Sequence, residues 1–300
     1  MFSLEYFKLT KTIAANENGL LLKDYLIDLG ISKRMLTDIK FDGGDLLING
    51  AHVTVRHELN EGDRLTILFP EEKVSEGLKP APIPLDILFE DEHVLVLNKK
   101  PYIPSIPSRE HPEHSIANGL LHHYAQQSIR LTVHLVNRLD RDTSGVMLVA
   151  KHRFAHSLLS KAQKKGEVKR TYRAFTHGVI TQKHGTIRAS IARKGDSIIE
   201  RMVDEAGQDA VTHYTVRAVD AHLDMSDVSL ALETGRTHQI RVHMQYLGHP
   251  LIGDTLYGGS RERMDRQALH SETLSFYHPM TGEQMTFSAP LPDDMQSLLL

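Results

Sequence analysis

The chain contains no cysteine, which excludes disulfides, thiolate nucleophiles, iron–sulfur clusters and cysteine-bound zinc. No apolar run approaches the roughly 18 residues needed to span a bilayer, so no membrane role is expected. The start, Met1-Phe2-Ser3-Leu4-Glu5, carries an early acid and lacks a basic leader and a small-residue cleavage site, which argues for the cytoplasm rather than secretion. There is no excess of positive charge either. The net charge of −3 argues against a protein that grips nucleic acid by bulk electrostatics alone. The H-E-x-x-H pattern is also missing despite 19 histidines. His152 and His156 stand one helical turn apart with no further ligands in a recognisable pattern, so they read as surface or structural residues and no metal is expected.

What is present is typical of a globular protein. The 300 residues, 24% charged and 40% hydrophobic, predict about two domains with a substantial core. Residues 1–74 read as a small separate module. Leu20-Leu21-Leu22 and Tyr25-Leu26 give a helical apolar stripe that stops near Gly30, and Ser32 is placed to cap a second helix beginning Lys33-Arg34. Asp45-Leu46-Leu47-Ile48 then runs into the turn pair Asn49-Gly50, and Gly62-Asp63 precedes a second strand from Arg64. Residues 75–84, S-E-G-L-K-P-A-P-I-P, resist helix and sheet and read as a semi-rigid linker. Over 85–300, strand-like and helix-like stretches alternate without repeats. Strands are expected at 93–97, 146–149, 172–175, 211–219 and 228–232, and helices at 116–127 and 154–165. The fold class is therefore α+β, a mixed sheet flanked by helices.

Three segments of the second domain carry chemistry. Asn137-Arg138-Leu139-Asp140-Arg141-Asp142-Thr143-Ser144-Gly145 places a carboxylate on a turn-rich loop just before a strand, a rigid support for a catalytic group. Alone, it also fits a salt-bridged turn. Lys169-Arg170-Thr171-Tyr172 sets an aromatic ring amid positive charge, a pattern that can hold phosphates while the ring stacks on a base. The wider stretch from Lys161 to Arg173 reads either as a phosphate-tracking surface or as a solvated helix face. Thr234-Gly235-Arg236-Thr237-His238-Gln239-Ile240-Arg241 offers two arginines to an anionic site and continues into a helix that stops at Gly248 before Pro250.

Taken in order, N-R-L-D-R-D-T-S-G, K-R-T-Y-R-A and T-G-R-T-H-Q-I-R-V-H-M-Q-Y-L-G-H-P-L-I-G-D-T-L-Y-G resemble the motifs of the RluA-type pseudouridine synthases. Asn98-Lys99-Lys100-Pro101, Ala268-Leu269-His270, His278-Pro279 and Ala289-Pro290-Leu291-Pro292 extend the resemblance over nearly the whole second domain. The N-terminal module resembles, on shorter motifs, the alpha-L-like RNA-binding domain first recognised in a small-subunit ribosomal protein.

The resemblance implies a largely antiparallel sheet and an isomerase that converts uridine to pseudouridine in large-subunit ribosomal RNA or transfer RNA. It implies no cofactor and no partner but RNA, and action as a monomer is consistent with it. It makes Asp140 the catalytic aspartate, Tyr172 the ring against the target base, Arg241 the cation paired with the aspartate, and Arg138 the residue that enters the RNA where the flipped nucleotide has left. Arg236, His238, Lys169 and Arg170, with Lys33 and Arg34 of the first module, are expected RNA contacts. Two departures stand out: Asn137 replaces the family's usual histidine, and Tyr102-Ile103-Pro104-Ser105-Ile106-Pro107 replaces a glycine-containing turn. Three reactions are open to the carboxylate: attack on the anomeric carbon, addition to carbon 6 of uracil, or removal of a ribose proton. The rival readings are a non-catalytic RNA-binding assembly protein, a metal-dependent hydrolase, and a glycosidase built on Asp140 and Asp142.

Overall fold

The structure, a computed structural model, describes residues 7–72, 77–128 and 132–299. Its first unit is a four-stranded antiparallel sheet ordered β1-β4-β2-β3. The elements are β1 (Lys8–Thr12), α1 (Leu22–Asp28), α2 (Lys33–Phe41), β2 (Asp45–Ile48), β3 (Ala51–His52) and β4 (Arg64–Leu68). Leu22 and Leu26 of α1 and Met35 and Ile39 of α2 point inward at helical spacing and meet Leu46, Ile48, Leu65 and Ile67 of the sheet. Ser32 Oγ accepts a hydrogen bond from Met35 N at 3.2 Å, the cap its position predicts, worth about 1 kcal/mol. Asn49 and Gly50 both hold positive φ, 52° and 86°, as a two-residue hairpin turn requires.

The proline-rich stretch lies partly outside the described residues, which resume at Gly77. From there to Asp86 the chain is without regular structure and runs against the helix α3 (Ile116–Gln126), where Asn118 Nδ2 donates to Lys79 O at 2.7 Å.

The second unit is a ten-stranded sheet. Its strands in chain order are β5 (Ile87–Glu90), β6 (Val94–Lys99), β7 (His134–Leu135), β8 (Ser144–Ala150), β9 (Lys169–His177), β10 (His184–Arg188), β13 (Val211–Asp220), β14 (Met225–Leu232), β15 (Leu269–Tyr277) and β16 (Gln284–Ser288). A separate hairpin, β11 (Ile191–Arg193) with β12 (Arg201–Val203), interrupts the run between β10 and β13. The helices are α3, α4 (Arg153–Lys164), α5 (Gln239–Tyr246) and the short α6 (Asp293–Gln296). Every pairing is antiparallel except β8 with β15, so the sheet is mixed and largely antiparallel.

Alternation sorts its two faces. Leu95 and Leu97 of β6 and Met147 and Val149 of β8 face α3 and α5, while Val94, Val96, Val146, Leu148 and Ala150 face α4. All seven residues of β8 are buried, which accounts for its short continuous apolar run. Among the described residues no helix is long and apolar enough to cross a membrane.

The two units meet at a cluster of histidines. His152 caps α4 by accepting from Ala155 N at 3.2 Å, stacks on Phe7 with ring centroids 3.6 Å apart, and lies 3.1 Å from His93 Nδ1. Arg153 pairs with Asp38 at 2.6 Å, and Lys161 Nζ donates to Gly30 O at 2.9 Å. Burial lowers the pKa of His93 and His156 and takes that of His152 down to about 3. The unfolded chain binds these protons from about pH 6.5 downward while folded His152 stays neutral. Stability is thus at its full value above that pH and falls as pH drops toward 3, by up to about 1.4 kcal/mol per pH unit from His152. Thermal unfolding measured at pH 7.5 and 5.0 is expected to show the loss, and His152→Asn, which retains a capping side chain, to make the slope shallower. Equal slopes in the two proteins would remove His152 from the account.

Candidate active site

The segment between β7 and β8 is tied down from several directions. Asn137 Oδ1 accepts from Leu148 N at 2.7 Å, so the departure at this position serves the backbone of the neighbouring strand. Ser105 Oγ donates to Leu139 O at 2.6 Å and accepts from Leu139 N at 3.1 Å. The unusual run after Pro101 therefore supplies a clamp for this loop, and its Tyr102 holds a positive φ of 68°.

Lys99 Nζ donates to the carbonyls of Lys100, Ile103 and Arg141 at 2.8–2.9 Å. Burial draws its pKa down to about 7 against the charges of Asp142 and Asp140, and three carbonyl acceptors match the three N–H groups of the ammonium form. Arg266, fully buried and forked onto Asp294, donates to Asp142 O at 2.9 Å. Just beyond, Gly145 has φ 112°, and a Cβ there would sit 2.2 Å from Ser271 O. Only glycine lets β8 approach β15 this closely.

Asp140 emerges from this support with its side chain 28% exposed, at 3.2 Å from Arg241 Nη1. Arg241, on the first turns of α5, is held from behind by Asp254, whose two oxygens take its Nε and Nη2 at 2.7 and 2.8 Å. Burial works against the guanidinium charge, but the hydrogen bonds it donates to Asp254 and the charge of Asp140 outweigh it and raise the pKa of Arg241. The fork to Asp254 is bidentate and buried, whereas the contact with Asp140 is single and longer. Arg241 is thus fixed by one carboxylate and offers a directed charge to the other.

Tyr172 lies on β9 opposite Leu230 of β14 and Ser271 of β15 and is 4% exposed. With Asp140, Arg241, Leu139, Leu232, Ile240 and Leu269 it lines a pocket that joins apolar and charged side chains. Burial raises the pKa of its hydroxyl and the Asp140 charge adds to this, while Arg170 and Ser271 act in the opposite sense. Arg138 and Arg236, both exposed, and half-buried His238 line the same pocket. Arg138 and Arg236 also border a larger neighbouring cavity walled by Arg193 and Arg201 of the β11–β12 hairpin.

Other predicted contacts are placed differently. Lys169 is exposed at the start of β9, but Arg170 is 7% exposed, too deep for a phosphate-tracking surface, and its guanidinium lies beside Gly235. The basic stretch as a whole is not one surface: Lys161 reaches Gly30, and Arg173 forks onto Asp227 at 3.0 and 2.7 Å. Lys33 and Arg34 are exposed on α2 of the first unit, apart from the pocket. Asp142 pairs with Arg141 at 2.7 Å and does not line the pocket. Among the described residues no group of three or more side chains is placed to hold a metal.

Sequence reasoning missed Asp254, Lys99, Ser105, Arg266 and Tyr257. Asp254 and Tyr257 stand within G-D-T-L-Y-G, where an aspartate between glycine and a short turn was the available signal. The contacts that tie Lys99 and Arg266 to the Asp140 loop, at Arg141 O and Asp142 O, lie 42 and 124 residues off in the chain, too far to be inferred.

The RNA pseudouridylate synthase family matches residues 93–246. A Bacillus subtilis (strain 168) protein named uncharacterized RNA pseudouridine synthase YjbO is 66% identical over 278 residues, 93% of this chain and 98% of its own length. Ribosomal large subunit pseudouridine synthase D of Vibrio parahaemolyticus is 38% identical, covering 97% of this chain and 93% of its own. The solved structure of human RNA pseudouridylate synthase domain containing 1 superposes with a TM-score of 0.57 at 26% identity, over 70% of this chain and 84% of that one. The match spans the Asp140 loop, β9 and all of α5, and the relatives align with the chain almost end to end: the protein belongs to the RNA pseudouridylate synthase family and is an isomerase that acts on RNA.

Proposed function

We propose that Asp140 is the carboxylate that reacts with the target nucleotide, with Arg241 holding its direction, Tyr172 packing on the uracil and Arg138 entering the stack in its place. The observation that carries this reading is the 3.2 Å approach of Arg241 to a partly exposed Asp140 at a pocket that Tyr172 also lines. Isomerising uridine breaks a carbon–nitrogen bond, turns the base and forms a carbon–carbon bond to the same sugar. It consumes no donor and changes no oxidation state, so positioning and charge are what the protein must supply. A base taken out of the stack needs an apolar surface to lie on and something to fill its gap. In this reading Arg236 and His238, which line the pocket, and exposed Lys169 at the start of β9 contact RNA, and buried Arg170 charges the pocket from beneath.

A proton must finally leave carbon 5 of the turned uracil, and the Tyr172 oxygen is the candidate to take it; burial raises its pKa and disfavours the phenolate, and Arg170 and Ser271 oppose that in part. Tyr172→Phe is expected to fold and bind RNA as wild type does while losing roughly a hundredfold or more in single-turnover rate, the scale of general-base catalysis. Normal turnover by this variant would restrict Tyr172 to stacking.

The target we infer is large-subunit ribosomal RNA, met by a cytoplasmic protein acting as a single chain. The support is the near-complete coverage by relatives whose names assign them to that RNA. Residues 1–74 form, in this reading, an RNA-binding domain that uses Lys33 and Arg34 at the start of α2, and 85–300 the catalytic domain. Pseudouridines mapped in ribosomal and transfer RNA from cells with and without the gene test the target. Loss of large-subunit sites is expected; loss confined to transfer RNA would overturn the assignment.

A further inference from the structure

Asp140 faces a second nitrogen besides Arg241. His238 Nε2 lies 3.8 Å from Asp140 Oδ2, beyond hydrogen-bonding distance yet close enough for a ring N–H dipole to act on the carboxylate. The other ring nitrogen, Nδ1, is 2.8 Å from the hydroxyl of Tyr257. That hydroxyl already accepts the backbone N–H of Arg201, at the start of β12, at 3.0 Å. A phenol has one proton to give, and His238 Nδ1 stands at hydrogen-bonding distance to receive it. A ring nitrogen that accepts carries no proton, so in the neutral imidazole the proton sits on Nε2, on the side of Asp140.

The surroundings hold this arrangement in place. His238 adopts a left-handed backbone, φ 58°, an unfavourable conformation for a residue with a side chain. The turn is fixed by Gln239, whose Oε1 accepts from Arg236 N and Thr234 Oγ1 and whose Nε2 donates to Val211 O and Thr212 Oγ1. The Tyr257 ring is buried, with the Arg241 guanidinium 5.0 Å over its face. The charged groups acting on His238 are Asp140, Arg241, Asp254 and Arg201; burial is the largest influence and the net effect lowers its pKa.

We propose that Tyr257 and His238 are positioning residues for the isomerisation: Tyr257 fixes His238 as a neutral imidazole with its proton on Nε2, and that N–H and Arg241 together aim the Asp140 carboxylate. The proposal rests on Asp140 being the reacting group. It makes His238 a donor, which removes it from the candidates for the base that deprotonates carbon 5. It also joins the β11–β12 hairpin to Asp140 through Arg201 N, Tyr257 and His238.

Loss of the Tyr257 hydroxyl opens Nδ1 to protonation beside a carboxylate. The resulting imidazolium draws Asp140 into a closed ion pair and away from the substrate. Tyr257→Phe is therefore expected to keep RNA affinity, lose roughly ten- to a hundredfold in single-turnover rate, the scale on which a misplaced reacting group acts, and show an acid limb at higher pH than wild type. His238→Gln, whose amide can present an N–H toward Asp140, should retain more activity than His238→Ala. Adding Tyr257→Phe to His238→Gln should cost little more, since the two residues act as one unit.

Nitrogen-15 NMR of the histidine rings in the full-length protein reads the tautomer without any turnover. A neutral His238 protonated on Nε2 is expected; protonation on Nδ1, or a charged ring at pH 7.5, overturns the proposal, as does a Tyr257→Phe rate and pH profile matching wild type. Near-normal activity of Asp140→Asn would instead overturn the reading of Asp140 and leave the tautomer result standing.

Discussion

Asp140→Asn is expected to lose pseudouridine formation by about a thousandfold or more while binding RNA within about twofold of wild type, because the substitution removes a reacting group and not a binding surface. Asparagine has nearly the same shape, so the clamps that hold the loop are untouched: Lys99 still reaches Arg141 O, Ser105 still brackets Leu139, and Arg266 still reaches Asp142 O. What disappears is the oxygen that faces Arg241 at 3.2 Å with full charge. An amide there cannot attack the sugar, add to the uracil ring or remove a ribose proton at a useful rate, so the expectation is the same for all three reactions of the carboxylate. Nucleoside analysis of a modified transcript measures the product, and a gel shift at fixed salt measures binding. Parallel loss of both would show that Asp140 supports the site rather than reacts in it.

The second large effect is expected at Arg241. Its removal leaves Asp254, 2% exposed and otherwise satisfied by the Arg241 fork, as a buried carboxylate without its partner. Breaking a buried pair from one side costs about 3–5 kcal/mol, so Arg241→Met should lower the melting temperature by many degrees and abolish activity. Removing both charges separates the two consequences. In Arg241→Met with Asp254→Leu the buried charge is gone, and much of the stability should return because an apolar pair of similar volume is tolerated there. Activity should not return, since Asp140 still lacks its directing cation. Denaturant unfolding and single-turnover assays on the single and double variants check both halves. Recovery of activity along with stability would mean that Arg241 contributes only to folding.

These residues also show what is readable in a sequence of this kind. Ser32 as a cap, Asn49-Gly50 as a hairpin turn and Gly248 as a helix stop were all legible, since each depends on backbone geometry within a few residues. The strands β6 and β8 were legible from short apolar runs, and their two-faced burial follows from alternation. The gathering of Asp140, Tyr172 and Arg241 at one pocket was legible only through the resemblance of motifs, because 101 residues separate Asp140 from Arg241.

Burial of charge was the least legible feature. Arg170 and Lys169 are neighbours in a basic run, yet strand alternation sends one inside and leaves the other in solvent. Lys99 stands beside another lysine in Asn98-Lys99-Lys100-Pro101, with nothing local to mark it as fully enclosed among carbonyls. Asp254 gave no sign of its partner, since a carboxylate's worth depends on which cation the fold brings to it. The histidines divide in the same way: His152 is a helix cap in the joint between the two units, and His238 faces the reacting carboxylate.

The most direct measurement is the release of tritium from carbon 5 of uridine in labelled large-subunit ribosomal RNA incubated with the purified protein, run beside Asp140→Asn. Release by the wild type, matched one for one by pseudouridine formed, is expected, with none above background from the variant. Release by the variant at a rate near wild type would contradict the role of Asp140.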